Sequence, residues 1–322
     1  MKIIFMGTPD FAVKTLEAMH DAGYEIVLAV TQPDRPKGRG GKVAMSPVKE
    51  AALAYGMEVF QPVKIREDQN IEYLRRYEAD VIVVVAFGQI LPQAILDLPR
   101  ICCVNVHGSL LPKYRGASPI QWTVLNGDPV GGVTTMRMDA GLDTGDIIME
   151  RQIPLSQDET SGSLFEKVSA EGAKLLIETL RALEDGTAVF TKQEDEKATK
   201  TRMITKAMGL IDFDRPAGEI DCLIRGMDPW PSAHTFYKGR LIKIWRAEPL
   251  TLQQAAERFG VDASGASPGT IIRVTKKDLF VSARDSMLRV LELQAEGKKR
   301  MQTDAFVRGF ALKEGDCFEK RR

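Results

Sequence analysis

A run of five β-branched residues, Val81–Val85, is the feature that most restricts the fold of this chain. The run is too short to cross a membrane as a helix, and it lacks the alternation of a strand with one face in water. Continuous valine and isoleucine are typical of a parallel strand that is covered on both faces. The run therefore predicts a sheet with helices on both sides, built from alternating strands and helices.

Strand and helix signals alternate through the rest of the first half. The strand signals lie at residues 2–6, 26–31, 59–60 and 80–86, and the helical signals lie at residues 11–22, 47–55, 68–76 and 161–183. This order predicts an α/β fold with a doubly wound, mostly parallel sheet. In such sheets, ligands bind beyond the carboxyl ends of the strands.

The second half of the chain has a different pattern. Residues 187–202 are polar and charged without apolar periodicity, which is typical of a linker. Short strand signals follow at residues 233–237, 241–247, 269–274, 279–282 and 288–294, with helical spacing only at residues 217–225 and 252–259. We therefore predict a first domain over residues 1–189, a linker over residues 190–205 and a small β-barrel domain over residues 206–322.

The charge balance argues against a uniformly basic nucleic-acid-binding protein, because the formal net charge of the chain is zero. The two halves differ, however. Residues 1–205 carry 23 Lys+Arg and 28 Asp+Glu, whereas residues 206–322 carry 21 Lys+Arg and 16 Asp+Glu. The excess of positive charge in the second half is compatible with attraction of phosphates, and equally with ordinary variation in surface charge.

Cysteine usage and the absence of targeting signals predict a cytoplasmic protein. The four cysteines, Cys102, Cys103, Cys222 and Cys317, form no C-x-x-C pair and have no histidine at metal-ligand spacing. They predict buried or free thiols in a reducing compartment and no metal site. The N-terminus does not resemble a signal peptide, and no apolar run approaches the length of a membrane span, so no membrane association is expected.

Asn105, His107 and Asp143 are the strongest candidates for catalysis. Asn105 and His107 lie two residues apart in a predicted strand that stops at Gly108, so their side chains point to the same face. An amide and an imidazole side by side can donate hydrogen bonds to an oxygen that becomes negative during acyl transfer. Asp143 lies in a loop with glycine neighbours, which is able to bring its carboxylate to the imidazole. A single histidine at a strand end is more often structural, and the combination of the three residues favours catalysis.

Other chemistries lack support in the sequence. The turn at residues 7–10 follows a strand and opens a helix, but it lacks the remaining glycines of G-x-G-x-x-G, and Pro9 removes a backbone donor. There is no G-x-x-x-x-G-K-[ST] loop for ATP, and no serine lies in a G-x-S-x-G turn that leads from a strand into a helix. Nicotinamide or flavin chemistry, ATP hydrolysis and a covalent acyl-enzyme are therefore not predicted.

The segments around the candidate catalytic residues resemble the folate-dependent formyltransferases. The resemblance rests on N-V-H-G-S-L-L-P-K-Y-R-G at residues 105–116 and G-L-D-T-G-D at residues 141–146. Residues 2–11, 31–40 and 228–231 resemble the members that formylate initiator methionyl-tRNA. The resemblance implies a formyltransferase-like Rossmann variant followed by an OB-like, tRNA-binding domain. It also implies a metal-free, monomeric enzyme with 10-formyltetrahydrofolate as formyl donor and the α-amine of initiator methionyl-tRNA as acceptor.

The resemblance also implies a folate pocket formed by two segments that follow strands. Its residues are Phe87, Gly88, Ile90, Leu91, Ser109, Leu110, Leu111 and Pro112. Both segments offer apolar side chains and backbone groups at strand ends, which suits a flat polar heterocycle. For Ile90 and Leu91, the alternative is a position in the hydrophobic core.

The resemblance also implies that two basic segments bind tRNA. The first is a glycine-rich loop that contains Arg35, Lys37, Arg39 and Lys42, with Arg39 at the position of the family's key arginine. A solvated loop is the usual outcome for such a run, and the alternative is an arm that becomes ordered on phosphates. The second begins at Lys206, but residues 206–212 lack the acidic residue that the family has before Ile-Asp.

Two other functions stay open at this point. One is formylation of a small-molecule amine, such as an amino-sugar nucleotide or glycinamide ribonucleotide, which would need neither the basic loop nor the C-terminal barrel. The other is a catalytically idle RNA-binding homologue. The presence of Asn105, His107 and Asp143 argues against the second alternative.

Overall fold

The computed structural model of the protein describes residues 1–37 and 42–319. For Lys37 and Lys42 it describes the backbone alone. Contacts divide the chain into two compact units. The first contains Met1–Ile120, Val130–Pro154 and Leu164–Arg202, and the second contains Gln121–Pro129, Leu155–Ser163 and the chain from Met203 onward. Contacts group residues 190–202, which belong to the predicted linker, with the first unit. The domain limits at residues 189 and 205 stay a prediction.

The first unit alternates strands and helices over most of its length. Its strands are β1 (Lys2–Gly7), β2 (Glu25–Val30), β3 (Arg35–Lys37), β4 (Lys42–Ala44), β5 (Val59–Phe60), β6 (Val81–Val85), β7 (Cys102–His107), β8 (Arg115–Gly116), β9 (Val130–Arg137), β10 (Ile147–Pro154) and β11 (Lys200–Thr201). The helices wholly or partly in this unit are α1 (Asp10–Asp21), α2 (Pro47–Ala54), α3 (Asp68–Arg75), α4 (Gln93–Leu96), α5 (Pro119–Leu125) and α6 (Ser161–Glu184).

The main sheet has the strand order β10–β9–β7–β6–β1–β2–β5. Its strands from β7 to β5 run parallel, and β9 and β10 are antiparallel additions at one edge. The short strands form two further pairs, β3 with β4 and β8 with β11. The predicted doubly wound, mostly parallel α/β sheet is thus confirmed.

The central strand β6 explains the uninterrupted valine and isoleucine run. It lies between β1 and β7, and Val81–Val85 are at most 5% exposed. Helix α6 covers the neighbouring strands closely. A Cβ atom at Gly172 would lie 3.1 Å from Cγ1 of Val106 and 3.2 Å from Cγ2 of Val133. The sheet is therefore packed tightly where β7 carries the candidate catalytic residues.

Strands β9 and β10 were not among the strands predicted from the sequence. The reason is visible in β9, where two glycines and two threonines occupy positions that are all buried. A Cβ atom at Gly132 would lie 2.4 Å from the carbonyl oxygen of Arg151 and 2.4 Å from Cδ2 of Leu110. Glycine is required there by close backbone approach, and its lack of a side chain removes the apolar signal that marks a strand.

The second unit is built around an antiparallel sheet. Its strands are β12 (His234–Tyr237), β13 (Arg240–Leu250), β14 (Ile271–Val274), β15 (Leu279–Ser282), β16 (Met287–Ala295) and β17 (Met301–Gln302), and its helices include α7 (Ala217–Gly226), α8 (Leu252–Phe259) and α9 (Thr303–Gly309). The sheet order is β12–β13–β16–β15–β14, with β17 paired to β16. Apolar side chains of the strands and of α7 share one core. This antiparallel half-barrel confirms the OB-like expectation.

None of the helices within the described residues combines the length and the apolar character that crossing a membrane requires.

Candidate active site

Asn105 and His107 lie at the carboxyl end of β7, in the middle of the sheet. Asn105 pairs with Val84 of β6 on one side and with Met136 of β9 on the other, and His107 pairs with Thr134 of β9. Strand alternation places both side chains on one face. They are 9% and 6% exposed, respectively. The sheet thus fixes both groups side by side, as the sequence predicts.

His107 is held by one nitrogen and leaves the other to the site. Its Nε2 lies 3.0 Å from the carbonyl oxygen of Tyr114, which only accepts hydrogen bonds, so Nε2 carries a proton. Its Nδ1 lies 3.8 Å from Oδ2 of Asp143, which is too long for a direct hydrogen bond. A donor at Nδ1 therefore requires a proton on both ring nitrogens.

Asp143 adopts a left-handed backbone conformation, with φ of 54°. Aspartate tolerates this region better than most residues, at some cost in free energy. Its Oδ2 accepts a hydrogen bond of 2.7 Å from the backbone N–H of Gly116. The same oxygen faces His107, so the carboxylate is fixed between a backbone donor and the imidazole.

The loop that carries Asp143 is shaped by its own sequence. The carboxylate of Asp139 accepts hydrogen bonds from the backbone N–H of Gly141 and the hydroxyl of Thr144. A Cβ atom at Gly145 would lie 1.7 Å from the carbonyl oxygen of Arg137. Only glycine fits this approach, so the course of the loop past Asp143 is set by its acidic and glycine residues.

The side-chain amide of Asn105 makes no hydrogen bond with another residue in the described part of the chain. An amide carries two N–H donors and a carbonyl acceptor. Within the described residues no fully buried side-chain N or O atom lacks a partner, so the atoms of this amide are open to solvent. Its donors are therefore available to a bound molecule, next to Nδ1 of His107. The pair can polarise a carbonyl group and hold an oxyanion.

The cysteines that precede the site do not act as nucleophiles at neutral pH. Burial raises the pKa of Cys102 to about 11 and also raises the pKa of Cys103. Only the thiolate is strongly nucleophilic. The arrangement therefore favours direct attack by an external amine over a cysteine-bound intermediate.

The first predicted folate segment follows β6. Phe87 is buried, and its carbonyl oxygen accepts hydrogen bonds from Oγ1 of Thr8 at 3.0 Å and from Nε2 of Gln32 at 3.3 Å. Gly88 is exposed and has φ of 85°, a conformation that favours glycine. Side chains from the ends of β1 and β2 therefore hold this turn at the carboxyl edge of the sheet.

Ile90 and Leu91 have different environments. Leu91 is 6% exposed and belongs to the core, whereas Ile90 is 86% exposed. The side chain of Gln89 accepts a hydrogen bond from the N–H of Ile65 and donates one to the carbonyl oxygen of Pro62, which ties this turn to a neighbouring loop. The alternative of a core position therefore applies to Leu91 and not to Ile90.

The second predicted folate segment follows β7. The hydroxyl of Thr134 donates to the carbonyl oxygen of Ser109 at 2.7 Å and accepts from the N–H of Leu111 at 3.1 Å. Ser109 and Leu111 are buried, whereas Leu110 and Pro112 are partly exposed. One threonine of β9 thus fixes the turn that follows β7. The folate contacts of both segments stay a prediction.

The predicted tRNA-binding residues lie in both units. Arg35 is exposed in β3, and its guanidinium donates to Oε1 of Gln32 at 3.4 Å. Lys37 and Lys42 are the paired ends of β3 and β4. Arg39 lies outside the described residues. Lys206 is exposed in a 3₁₀ helix, Lys206–Gly209, of the second unit. Their tRNA contacts stay a prediction.

Residues 1–37 and 42–319 contain no group of three or more His, Cys, Asp or Glu side chains that is able to hold a metal ion. The expectation of an enzyme without metal stays a prediction.

Comparison with known proteins identifies the family. A family model described as formyl transferase matches residues 1–180, and one described as formyl transferase, C-terminal domain, matches residues 203–311. The methionyl-tRNA formyltransferase of Agathobacter rectalis is 56% identical over 318 residues, which are 99% of each chain. The chain belongs to the methionyl-tRNA formyltransferase family. The enzyme of this name from Lachnospira eligens is 49% identical over 316 residues, or 98% of each chain.

Solved structures agree with the fold of this formyltransferase family. A sugar 3N-formyl transferase, crystallised in the presence of dTDP and 5-N-formyl-THF, aligns with a TM-score of 0.66 at 18% identity. The alignment covers 93% of this chain and 99% of that chain. At this identity the likeness is one of fold alone.

Two buried residues of the site were not identified from the sequence. Gln193 is 6% exposed, and its amide contacts the backbone of the Asp143 loop. Arg115 is 4% exposed and contacts Gln193. Arg115 belongs to the conspicuous motif at residues 105–116, which was the available signal. Gln193 lies in a polar segment without periodicity, and no local pattern marks it.

Proposed function

We propose that the protein transfers a formyl group from 10-formyltetrahydrofolate to the α-amine of initiator methionyl-tRNA, giving N-formylmethionyl-tRNA for translation initiation. The observation that carries this proposal is the site formed by Asn105, His107 and Asp143, in a chain 56% identical to a methionyl-tRNA formyltransferase. The solved sugar formyl transferase with 5-N-formyl-THF supports a donor of the folate class for this fold.

The first step of the proposed reaction is attack of the amine on the formyl carbon. The acceptor must be neutral, and a free α-amino group has a pKa of about 7.7–8.0 that esterification lowers. The amine is therefore largely neutral near pH 7. A new C–N bond forms, and the electron pair of the formyl C=O bond moves to oxygen and creates an oxyanion.

Asn105 and His107 supply the donors for this oxyanion. The Asn105 amide is unpartnered within the described residues, and Nε2 of His107 is engaged by Tyr114. The donor that His107 offers is therefore Nδ1–H, which exists beside Asp143 when the imidazole is cationic. Each preorganised donor of this kind contributes about 2.7–4 kcal/mol to the stabilisation of an acyl-transfer transition state.

Collapse of the tetrahedral intermediate completes the reaction. The bond between the formyl carbon and N10 of the folate breaks, and its electron pair stays on N10. The proton lost by the attacking amine moves through water beside Asp143 and His107 to N10. The carboxylate of Asp143 lies 3.8 Å from Nδ1 of His107, so the two groups flank this route together.

A single assay tests the proposed function. Labelled formyl groups are followed from 10-formyltetrahydrofolate to charged initiator methionyl-tRNA, to elongator methionyl-tRNA and to an amino-sugar nucleotide. We expect efficient transfer to the initiator tRNA alone. Preference for the sugar nucleotide would contradict the proposal in favour of a small-amine formyltransferase, and tRNA binding without any transfer would indicate an idle RNA-binding homologue.

The basic loop gives a prediction about the tRNA. Replacing Arg39 with alanine is expected to lower kcat/KM for methionyl-tRNA by roughly 10- to 100-fold, because a charge-assisted hydrogen bond contributes about 1.5–3 kcal/mol. Arg39→Lys should recover part of this loss, since lysine keeps the charge without the planar fork. The KM for the folate should not change. The exposed Arg66 is a matched control, and an equal loss in Arg66→Ala would contradict a specific role of Arg39.

The monomeric state and the cytoplasmic location that the sequence indicates stay predictions, and sedimentation of the purified protein tests the first of them.

A further inference from the structure

The segment from residue 193 to residue 201 contacts the backbone that holds the catalytic residues. Thr199 accepts a hydrogen bond from the N–H of Arg115 through its carbonyl oxygen and one from the N–H of Tyr114 through its hydroxyl. Strand β11 then pairs with β8, and the N–H of Gly116 in β8 donates to Asp143. The carbonyl oxygen of Tyr114 in turn accepts from His107. The segment thus supports the two backbone groups that bind His107 and Asp143.

Gln193 is the one side chain of this segment that reaches the Asp143 loop directly. Its Nε2 donates to the carbonyl oxygens of Asp143 at 3.0 Å and of Gly145 at 2.7 Å. Its Oε1 accepts from Nε of Arg115 at 3.0 Å. The residue is 6% exposed. Both donors of the amide and its acceptor are therefore used, away from water.

The orientation of the Gln193 amide is decided by the chemistry of its partners. Arg115 can only donate, and the two backbone carbonyls can only accept. The oxygen of the amide must therefore face Arg115 and its nitrogen must face the loop. Arg115 is itself 4% exposed, and its Nη2 donates to Asp195 at 2.9 Å. A buried cation with two fixed partners thus sets the direction of the amide.

This contact falls on the part of the loop that is under strain. Asp143 has φ of 54°, a conformation that costs free energy and persists only where the surroundings enforce it. Gln193 binds the carbonyl oxygen of Asp143 and that of Gly145, two residues further on. The N–H of Gly116 donates to the carboxylate of Asp143. Hydrogen bonds therefore fix both the side chain and the backbone of Asp143.

We propose that Gln193 is a positioning residue for Asp143, and that residues 193–201 act as a brace of the catalytic loop. The proposal rests on the proposed function, in which the Asp143 carboxylate acts beside Nδ1 of His107. Gln193 does not touch the reacting atoms. It fixes the loop so that the carboxylate stays at the distance from His107 at which it stabilises the cation.

Two substitutions remove this contact in different ways. Gln193→Met keeps the volume and removes all three hydrogen bonds. Gln193→Glu keeps an acceptor for Arg115 and places an oxygen against the two loop carbonyls. We expect kcat to fall about 10- to 100-fold in both, because a misplacement of about 1 Å costs up to that factor, with KM values for both substrates within about threefold.

Two controls lie on the same segment. Lys197→Ala and Glu194→Ala each remove one partner of an ion pair whose side chains are 66% and 67% exposed. Both should keep kcat within about twofold, since exposed ion pairs contribute little. A loss in these controls equal to that in Gln193→Met would show a general effect of the segment and would overturn the specific role of Gln193.

The decisive test combines Gln193→Met with Asp143→Asn in single-turnover measurements on the full-length protein. If Gln193 acts through Asp143, its loss should lower the rate of the Asp143→Asn enzyme by less than about threefold, because coupled residues are not additive. Additive losses would overturn the proposal. If the wild-type enzyme does not transfer a formyl group to methionyl-tRNA, the proposed function is wrong. This outcome is distinct from additive losses, which concern only the role of Gln193.

A readout without catalysis keeps the proposal testable even if the rates of the variants are too low to compare. Hydrogen exchange of the backbone amides in residues 139–146 should become faster in Gln193→Glu than in wild type and in Lys197→Ala, since the loop loses its brace. The melting temperature shows whether the variant folds. Unchanged exchange in a folded Gln193→Glu protein would overturn the proposal.

Discussion

Replacing Asn105 or His107 with alanine is expected to lower kcat for formyl transfer by about 10²–10³-fold, because each supplies a donor that is strongest in the transition state. Asp143→Ala should cause a loss of similar size, since the cationic form of His107 then lacks its carboxylate. Binding of methionyl-tRNA should change far less. Single-turnover rates and equilibrium tRNA binding, measured on the same preparations, separate the two effects.

The chain offers matched controls for these substitutions. His20 is an exposed histidine, and Asn70 is a surface asparagine bonded to a backbone carbonyl. Alanine at either position should leave kcat within about twofold, since surface substitutions away from special features have small effects. Near-normal turnover of Asp143→Ala would remove this carboxylate from the mechanism. A rise in KM alone would assign Asn105, His107 and Asp143 to substrate binding.

Gly145→Ala is expected to lower kcat by about 10²-fold or more, because a displacement of the Asp143 loop by about 1 Å has an effect of that order. The added Cβ would lie 1.7 Å from the carbonyl oxygen of Arg137. A backbone atom cannot rotate away as a side chain does, so the loop itself must shift. Turnover and the melting temperature are the two measurements.

A second glycine of the same loop provides the control. A Cβ atom at Gly141 would meet the side chain of Thr144, which can rotate at the cost of its hydrogen bond to Asp139. Gly141→Ala should therefore lose much less activity than Gly145→Ala. Equal losses in the two variants would indicate that any added methyl group disturbs the loop, and the specific clash with Arg137 would not be the cause.

The parts of the fold that were predicted from the sequence have strong periodic signals. The run at β6 has no polar interruption, and such a run is stable only between two covering layers. Strand alternation places Asn105 and His107 on one face whatever the surrounding fold is. These two inferences need only local geometry, and they locate the candidate site.

The remaining parts depend on contacts between distant segments. Strand β9 needs Gly132 because Leu110 and Arg151 approach its backbone. The sequence of β9 contains no pattern from which these contacts could be predicted. Gln193 binds a carbonyl oxygen 50 residues earlier in the chain, and a polar segment without periodicity is indistinguishable from a solvated linker. Ile90 and Leu91 are adjacent apolar residues, and only the turn after β6 decides which of them is buried.

The second unit is formed by three separate stretches of the chain. This has a consequence for how the unit folds during synthesis on the ribosome. Leu125 packs against α7, where a Cβ atom at Gly226 would lie 2.6 Å from its Cδ2. Roughly a hundred residues separate the two positions, and a ribosome adds about 5–20 residues per second. For about 5–20 s, therefore, the apolar segment around Leu125 is exposed on the nascent chain, because the residues that form its core have not yet been synthesised. The rate of elongation sets how long that segment is open to misassembly.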